Sequence, residues 1–354
     1  MSAFQTRPEP FRIEPIFSPR IWGARSLAPL FPEKTDLTEP LGEAWLTGVD
    51  CKVANGRFAG KSLGEAWREM PAEWRGRSLV STSDFPLLVK FIFPTDKLSI
   101  QVHPDDAYAS KHEQAAGGRG KTEMWYAVSA EPGASVMIGL VPQADAKELL
   151  RAIETQTLED LFVRWPVEPG DAFFVPAGTP HTICPGMILC EVQEYSDITY
   201  RVYDYGRVDA SGKPRELHVK KALDVIETGL PIRGKTSRIR LPGQGPEEYL
   251  LAACPYFATE QWKASTPVES RSSDVHFDLL IILAGGGDLT WDSGRAAYQS
   301  GECWLVPAGL GKFRLNPKEA TKILRTYVPD LPQLRAGLEE AGHSRQELEK
   351  TVFD

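Results

Sequence analysis

The 354-residue chain has few cysteines, no long apolar run and no excess of positive charge. Its five cysteines (Cys51, Cys184, Cys190, Cys254 and Cys303) are odd in number and form no C-x-x-C pair. This argues against a disulfide framework and for reduced thiols in a cytoplasmic protein. The longest apolar stretches are short, such as Phe277–Ala284, well under the roughly 20 residues that a membrane-spanning helix needs. The N-terminal MSAFQTRPEPFRIEP has no apolar signal core. With 40 Lys+Arg against 48 Asp+Glu, the formal charge is −8. Nucleic acid and anionic membrane select basic surfaces, so neither is expected as a partner. A phosphorylated small molecule needs only two or three local cations and stays open.

What is present is punctuation. Thirty glycines and 28 prolines suit many short strands joined by turns. Strands are expected at Glu43–Val49, Phe85–Phe93, Leu98–Val102, Thr122–Val128, Ala134–Leu140, Ala172–Val175, Ile188–Tyr195 and Thr199–Tyr203, with a second block from about Tyr249 to Tyr327. Ser18–Gly23 reads as an ordered loop. Helices are expected at Asp105–Ala116, capped by Asp105, and at Ala144–Phe162, with Leu149, Leu150, Ile153, Leu158 and Leu161 on one buried face. The latter should break near Thr157, where Thr157-Leu158-Glu159-Asp160 resembles a capping box. Glu216–Glu227 should bury Leu217, Ala222, Leu223 and Ile226, and a polar helix is expected near Ser344–Val352. Arg233–Thr236 and Leu241–Pro246 read as linker.

The two strand blocks share a repeat. Pro169–Gly178 (PGDAFFVPAG) aligns without gaps on Ser300–Gly309 (SGECWLVPAG) at a constant offset of 131. Glycine, acid, short apolar strand and V-P-A-G describe a turn–strand–turn unit. It resembles the unit that, in cupin-type jelly-roll barrels, delivers a ligand histidine just after the proline bend. The first copy continues to His181, the second to Lys312. The expected fold is therefore mainly β, with two cupin-type jelly-roll barrels and short helical insertions. Residues 1–232 would form a catalytic, metal-binding barrel with a helical insertion at about 142–164 and a closing helix at about 215–228. Residues 233–354 would form a second, degenerate barrel without metal ligands.

In Ser99-Ile100-Gln101-Val102-His103, strand alternation puts Ser99, Gln101 and His103 on one face. Lys121 and Glu123 repeat that spacing, and His181 follows the V-P-A-G turn. Two imidazoles, a carboxylate and an amide oxygen form an N/O set that suits Zn²⁺ or a similar divalent ion. The alternative is a pair of satisfied core histidines. Three converging features favour the metal.

These segments resemble type I phosphomannose isomerase in its short bacterial form. Ser99–Asp105 (SIQVHPD) matches its first metal motif, Gly120–Glu123 (GKTE) the second, Pro176–His181 (PAGTPH) the third, and Glu191–Arg201 its signature after the last ligand. The resemblance runs from about Phe17 to Glu227 and weakly beyond. It implies one zinc ion per chain held by Gln101, His103, Glu123 and His181. It also implies interconversion of mannose 6-phosphate and fructose 6-phosphate through a cis-enediol. Lys121 and Arg201 are then the cations at sugar oxygens and phosphate, and Glu191 the proton-transfer base. Without the resemblance Glu191 is undecided, because Glu194 and Asp197 lie close by.

Lys90 is a charge inside the apolar run FPLLVKFIF. It is either a further substrate contact, with Ser99, or an edge-strand residue reaching water. Trp22, Glu43 and Trp45 line the cleft or belong to the core. Arg215 and His218 read as packing residues, and His276 as unpartnered. The large helical domain of longer family members is missing, which opens selectivity among related phosphosugars. A non-catalytic sugar-phosphate sensor on the same barrel, or an iron oxygenase, is the competing class. The gathered Lys121, Glu191, Arg201 and Gln101 count against both.

Overall fold

The computed structural model describes residues 7–80, 82–208, 212–229, 234–241 and 247–354. Among them, no helix is long and apolar enough to cross a membrane. The strands form four antiparallel sheets. A six-stranded sheet has the order Ile16–Ala24, Leu41–Trp45, Leu87–Ile92, Met187–Glu194, Glu123–Ala130, Ala172–Val175. A five-stranded sheet runs Tyr200–Tyr203, Ile100–Val102, His181–Ile183, Ser135–Leu140, Phe162–Pro166. A seven-stranded sheet runs Phe11–Ile13, Cys303–Val306, Asp278–Ala284, Thr321–Tyr327, Ala258–Ala264, Glu247–Ala253, Ile239–Arg240. The fourth, four-stranded, holds Val268–Arg271, Lys312–Pro317, Gly286–Trp291 and Gly294–Gln299.

The sheets stack in layers, which side-chain alternation explains. Trp125, Leu189 and Phe173 point from the six-stranded sheet to Val136, Ile138 and Ile183 of the five-stranded one. Leu87, Val89, Phe91, Met124 and Val192, on the opposite face of the same strands, meet Leu251, Leu279, Ile281 and Leu305 of the seven-stranded sheet. Leu280, Ile282, Trp262 and Trp304 then face Leu289, Phe313 and Leu315 of the fourth. A strand buried on both faces must be apolar throughout, and every residue of Leu87–Ile92 is buried. That makes its one charge, Lys90, costly.

The repeat is real in three dimensions. Gly170 (φ 92°) and Gly301 (φ 84°) both take the left-handed turn that glycine permits. Gly170 N–H donates to the Ala127 carbonyl and Ala127 N–H to that of Asp171; Gly301, Ile282 and Glu302 make the same pair of bonds. The two halves are also joined: Phe11–Ile13, at the start of the chain, pairs with Cys303–Leu305. The expected boundary at 232/233 and most of the expected linker, 242–246, lie outside the described residues.

Several local expectations are corrected. Ser18–Gly23 lies within a strand, Ile16–Ala24. The helix Ala146–Thr155 is capped by Asp145 and stopped by left-handed Gln156 (φ 60°); Thr157 makes no capping bond. Leu149 is buried but Leu150, one position round the helix, is exposed. The closing helix is only Val219–Val225, so Leu217 precedes it and faces solvent. Among the described residues, three α-helices had no reading: Leu63–Glu69, opened by a Ser62/Glu65 capping box, Ala72–Arg75 and Leu331–Glu340.

Candidate metal centre

Strand register assembles the donors. Gln101, mid-strand, pairs with His181 on one side and Arg201 on the other. Glu123 opens its strand opposite Gln193. His103 follows the Ile100–Val102 strand, and its carbonyl accepts from Gly178 N–H at 2.8 Å, which ties the V-P-A-G turn to the first motif. His103, Glu123 and His181 are buried, with ligand atoms within 4.8 Å of one another. His181 Nε2 is 3.4 Å from Glu123 Oε1, and His103 Nε2 3.7 Å from Oε2. The Gln101 amide end lies 3.2 Å from His181 Nε2.

The imidazoles are oriented for ligation. His103 Nδ1 lies 2.8 Å from the Ile198 carbonyl and His181 Nδ1 2.9 Å from that of Thr179. An acceptor at Nδ1 requires the proton there, so each Nε2 turns a lone pair to the centre. Burial keeps both neutral: it pushes His103 well below its usual range and His181 down to about 4, and nearby Lys121 works the same way. Among the described residues, His103 Nε2 and Glu123 Oε1 are buried without a hydrogen-bond partner, and Glu123 Oε2 meets the Lys121 ammonium at 2.9 Å. Buried lone pairs of this kind are expensive to leave unsatisfied, and a divalent cation satisfies them together. The residues therefore fit a metal ion. No comparable cluster of His, Cys, Asp or Glu occurs elsewhere among the described residues.

Beside this centre opens a cleft of about 430 Å³, lined by Lys90, Ser99, Gln101, Lys121, Glu191 and Arg201, and also by Arg20, Trp22, Glu43, Asp197, Thr199 and Arg215. Lys90 and Glu191 belong to one cross-strand row, Trp45–Lys90–Glu191–Trp125. Lys90 is thus in a central strand, which removes the edge-strand alternative. Its ammonium sits 4.4 Å over the Trp45 ring, 3.0 Å from Asp197 and 3.7 Å from Glu191. Burial works to lower the Lys90 ammonium, but Glu43, Glu191 and Asp197 outweigh it and hold it charged. Lys121 is 2.9 Å from Glu123 and 3.9 Å from Glu191; those carboxylates likewise overcome its burial.

Glu191 is raised by burial, against the pull of Lys121, and Trp125 Nε1–H donates to its Oε1 at 3.3 Å. Arg201 donates through NH1 to the Glu216 carbonyl, while its buried Nε has no partner. Arg215, read as a packing residue, lines the cleft while gripping Asp204 at 2.5 and 2.7 Å. His218 does pack, accepting from Arg201 N–H. His276, expected to be unpartnered, lies 3.2 Å from Asp278 and stacks on Tyr327.

Asp197 and Arg20 are cleft residues that the sequence reading missed. A lysine inside an apolar strand demands an acid, and that signal could have directed attention to Asp197. Arg20, which meets Glu43 at 2.6 Å, gave no signal of its own.

Fold and site together define a layered antiparallel-β protein with a buried cluster of two histidines and a carboxylate, suited to a metal ion, beside a charged cleft. The family model for the type I phosphomannose isomerase catalytic domain matches residues 11–131. Mannose-6-phosphate isomerase ManA of Bacillus subtilis is 36% identical over 320 residues, spanning 87% of this chain and 96% of that protein. The mannose-6-phosphate isomerase of Streptococcus mutans is 37% identical over 314 residues, 87% of this chain and 95% of that one. The crystal structure of a Bacillus subtilis mannose 6-phosphate isomerase superposes with a TM-score of 0.81 at 31% identity, covering 90% of this chain and 99% of the other. The chain belongs to the type I phosphomannose isomerase family.

Proposed function

We propose that this protein is a metal-dependent aldose–ketose isomerase that interconverts mannose 6-phosphate and fructose 6-phosphate. The observation that carries the reading is the convergence of two imidazole Nε2 atoms and Glu123 beside a buried acid, Glu191, flanked by two lysines. Gln101, His103, Glu123 and His181 would hold the metal, and one Zn²⁺ per chain suits this N/O donor set. When bound, the ion supplies Lewis-acid stabilisation of negative charge at the sugar oxygens.

The chain's own residues supply the rest. Glu191 takes the C2 proton of the open-chain sugar and returns it at C1, passing through a cis-enediol. Burial lifts its basicity toward working pH, and the Trp125 bond fixes its carboxylate plane. Lys121 donates to the sugar oxygen on which charge develops. Arg201, whose fork forms no ion pair with a carboxylate among the described residues, receives the phosphate, with Lys90 and Ser99 as further contacts. The work is divided between a catalytic unit, 1–232, and a degenerate one, 233–354.

Incubating the zinc-loaded protein with mannose 6-phosphate in deuterated water should give fructose 6-phosphate. Binding of the sugar phosphate without conversion, with zinc, cobalt and manganese each tried, would leave the sensor reading and end this one.

A further inference from the structure

The segment that carries Lys121 into Glu123 is fixed by three successive backbone N–H groups. Gly120 N–H donates to Asp106 Oδ1 at 2.8 Å, Lys121 N–H to the Pro104 carbonyl at 3.0 Å, and Thr122 N–H to Glu194 Oε1 at 2.7 Å. Two of these acceptors are carboxylates that no step above uses. Glu194 N–H returns a bond to the Thr122 carbonyl at 3.2 Å, so Thr122 is clasped from both sides. Thr122 Oγ1 accepts from Ala177 N–H at 3.3 Å, in the turn that leads to His181. The segment has no slack: a Cβ on Gly120 would stand 2.6 Å from the backbone of Asp105 and Asp106.

Asp106 brings in the other half of the molecule. Its Oδ2 accepts from Tyr256 Oη–H at 3.1 Å, and Tyr256 lies in the turn between Glu247–Ala253 and Ala258–Ala264 of the seven-stranded sheet. Glu194 is buried and, among the described residues, forms no ion pair. Burial and the nearby Asp106 push its carboxyl up to about 8. A group so costly to bury earns its place through the contact it makes.

We propose that Glu194 and the Asp106–Tyr256 pair are positioning residues for Lys121 and Glu123, and that through Tyr256 the C-terminal sheets take part in building the site. Groups that orient a metal ligand act on both metal affinity and turnover, because sub-ångström errors at a reacting centre are amplified. The kinetic arm of the test rests on the isomerase reading; the zinc arm does not.

Glu194→Ala, Glu194→Gln and Tyr256→Phe are compared with the unaltered full-length chain. The readouts are Zn²⁺ affinity by competition with a chromophoric chelator, isomerisation of mannose 6-phosphate, and the thermal midpoint. Glu194→Ala should weaken zinc binding about 10- to 100-fold and lower kcat by a similar factor, with KM moved less than about threefold. Glu194→Gln, whose amide oxygen still accepts from Thr122 N–H, should return both quantities to within about threefold of the unaltered chain. Tyr256→Phe should lose roughly three- to tenfold in each at an unchanged midpoint. Unaltered zinc affinity and kcat in Tyr256→Phe and Glu194→Ala would overturn the proposal. So would a Glu194→Gln as impaired as Glu194→Ala, since charge rather than the N–H contact would then matter. Should Glu194→Ala fail to fold, Tyr256→Phe decides. An unaltered chain that binds zinc without isomerising sugar overturns the functional reading, and the zinc arm still decides the clamp.

Discussion

On the six-stranded sheet Lys90, Glu191 and Glu123 stand on three neighbouring strands; on the seven-stranded sheet the matching positions hold Glu260, Arg325 and Asp278. The match follows from register. Glu123 pairs with Val175 and Asp278 with Val306, the same valine of the repeated V-P-A-G. Two residues along, Trp125 pairs with Glu191 and Leu280 with Arg325. Across the next strand, Glu191 faces Lys90 and Arg325 faces Glu260. The frame is kept and the charges are exchanged.

Both rows hold buried polar atoms without a hydrogen-bond partner among the described residues, and the difference lies in what stands beside them. In the first half, two imidazoles and Glu123 converge beside an open cleft, and the cation nearest Glu123 is the Lys121 ammonium, 2.9 Å from Oε2. In the second, one guanidinium bridges Glu260 at 3.2 Å and Asp278 at 3.0 Å, and Tyr327 Oη–H donates to Glu260 at 2.8 Å. Helix Leu331–Glu340 packs Leu331 and Leu338 with Tyr327 and Leu250 at the same end. Lys312 stands where His181 would, exposed and paired with Glu269. A cation tethered to the chain cannot exchange. One half opens its converging side chains to a cleft, and the other closes its charges on a tethered guanidinium.

The sharpest way to break this contrast is to damage the open half. His181→Ala, or treatment with a chelator, should lower isomerisation about 10³-fold or more, and added zinc should rescue only the chelated protein. Full activity in His181→Ala would remove it from the donor set. Next, the counterparts Glu191 and Arg325 should fail differently. Glu191→Gln should cost on the order of 10²–10⁴ in kcat with little change in the urea midpoint. Arg325→Met should leave kcat nearly unchanged but destabilise the fold by roughly 3–5 kcal/mol, because two buried acids lose their cation. Equal kcat losses would erase the distinction between the halves.

The smallest effect is in pH. Burial raises the Asp278 carboxyl, but Arg325 and His276 outweigh it and hold it below 3.8. The unfolded chain therefore takes up that proton first, so this group's stabilisation is present above about pH 4 and fades as pH falls further. In Arg325→Met the buried carboxyl is no longer held down, and protonating it relieves the fold. The stability gap between variant and unaltered protein, read from urea midpoints between pH 5 and 3, should narrow toward acid. A gap that widens would mean that Arg325 is not the partner that matters.

Much of this was legible in order of residues because it is local. Gln101 and His103 lie two apart, the first in a strand and the second just past its end, Lys121 and Glu123 repeat that spacing, and His181 follows a turn that contains glycine and proline. The constant offset of 131 is local too, since both copies build the same hydrogen-bonded turn. Where the reading failed, a neighbour in space decided. Leu150 and Leu217 are apolar residues whose element left them facing water. Lys90 looked equally suited to an edge strand until Leu41–Trp45 and Met187–Glu194 closed on both sides of it.

The sequence by itself determined a mainly β chain, its repeat, the segments that bring His103, Glu123 and His181, and the family motifs, because alternation and turn chemistry are written within a few residues of one another. Only the tertiary structure decided that Asp197 answers Lys90, that Tyr256 reaches Asp106 from the far half, and that Arg325, at the position matching Glu191, bridges Glu260 and Asp278. Those pairings span up to 150 residues of chain. They exist only because sheet register and layer packing bring the strands together, and no short-range pattern encodes that.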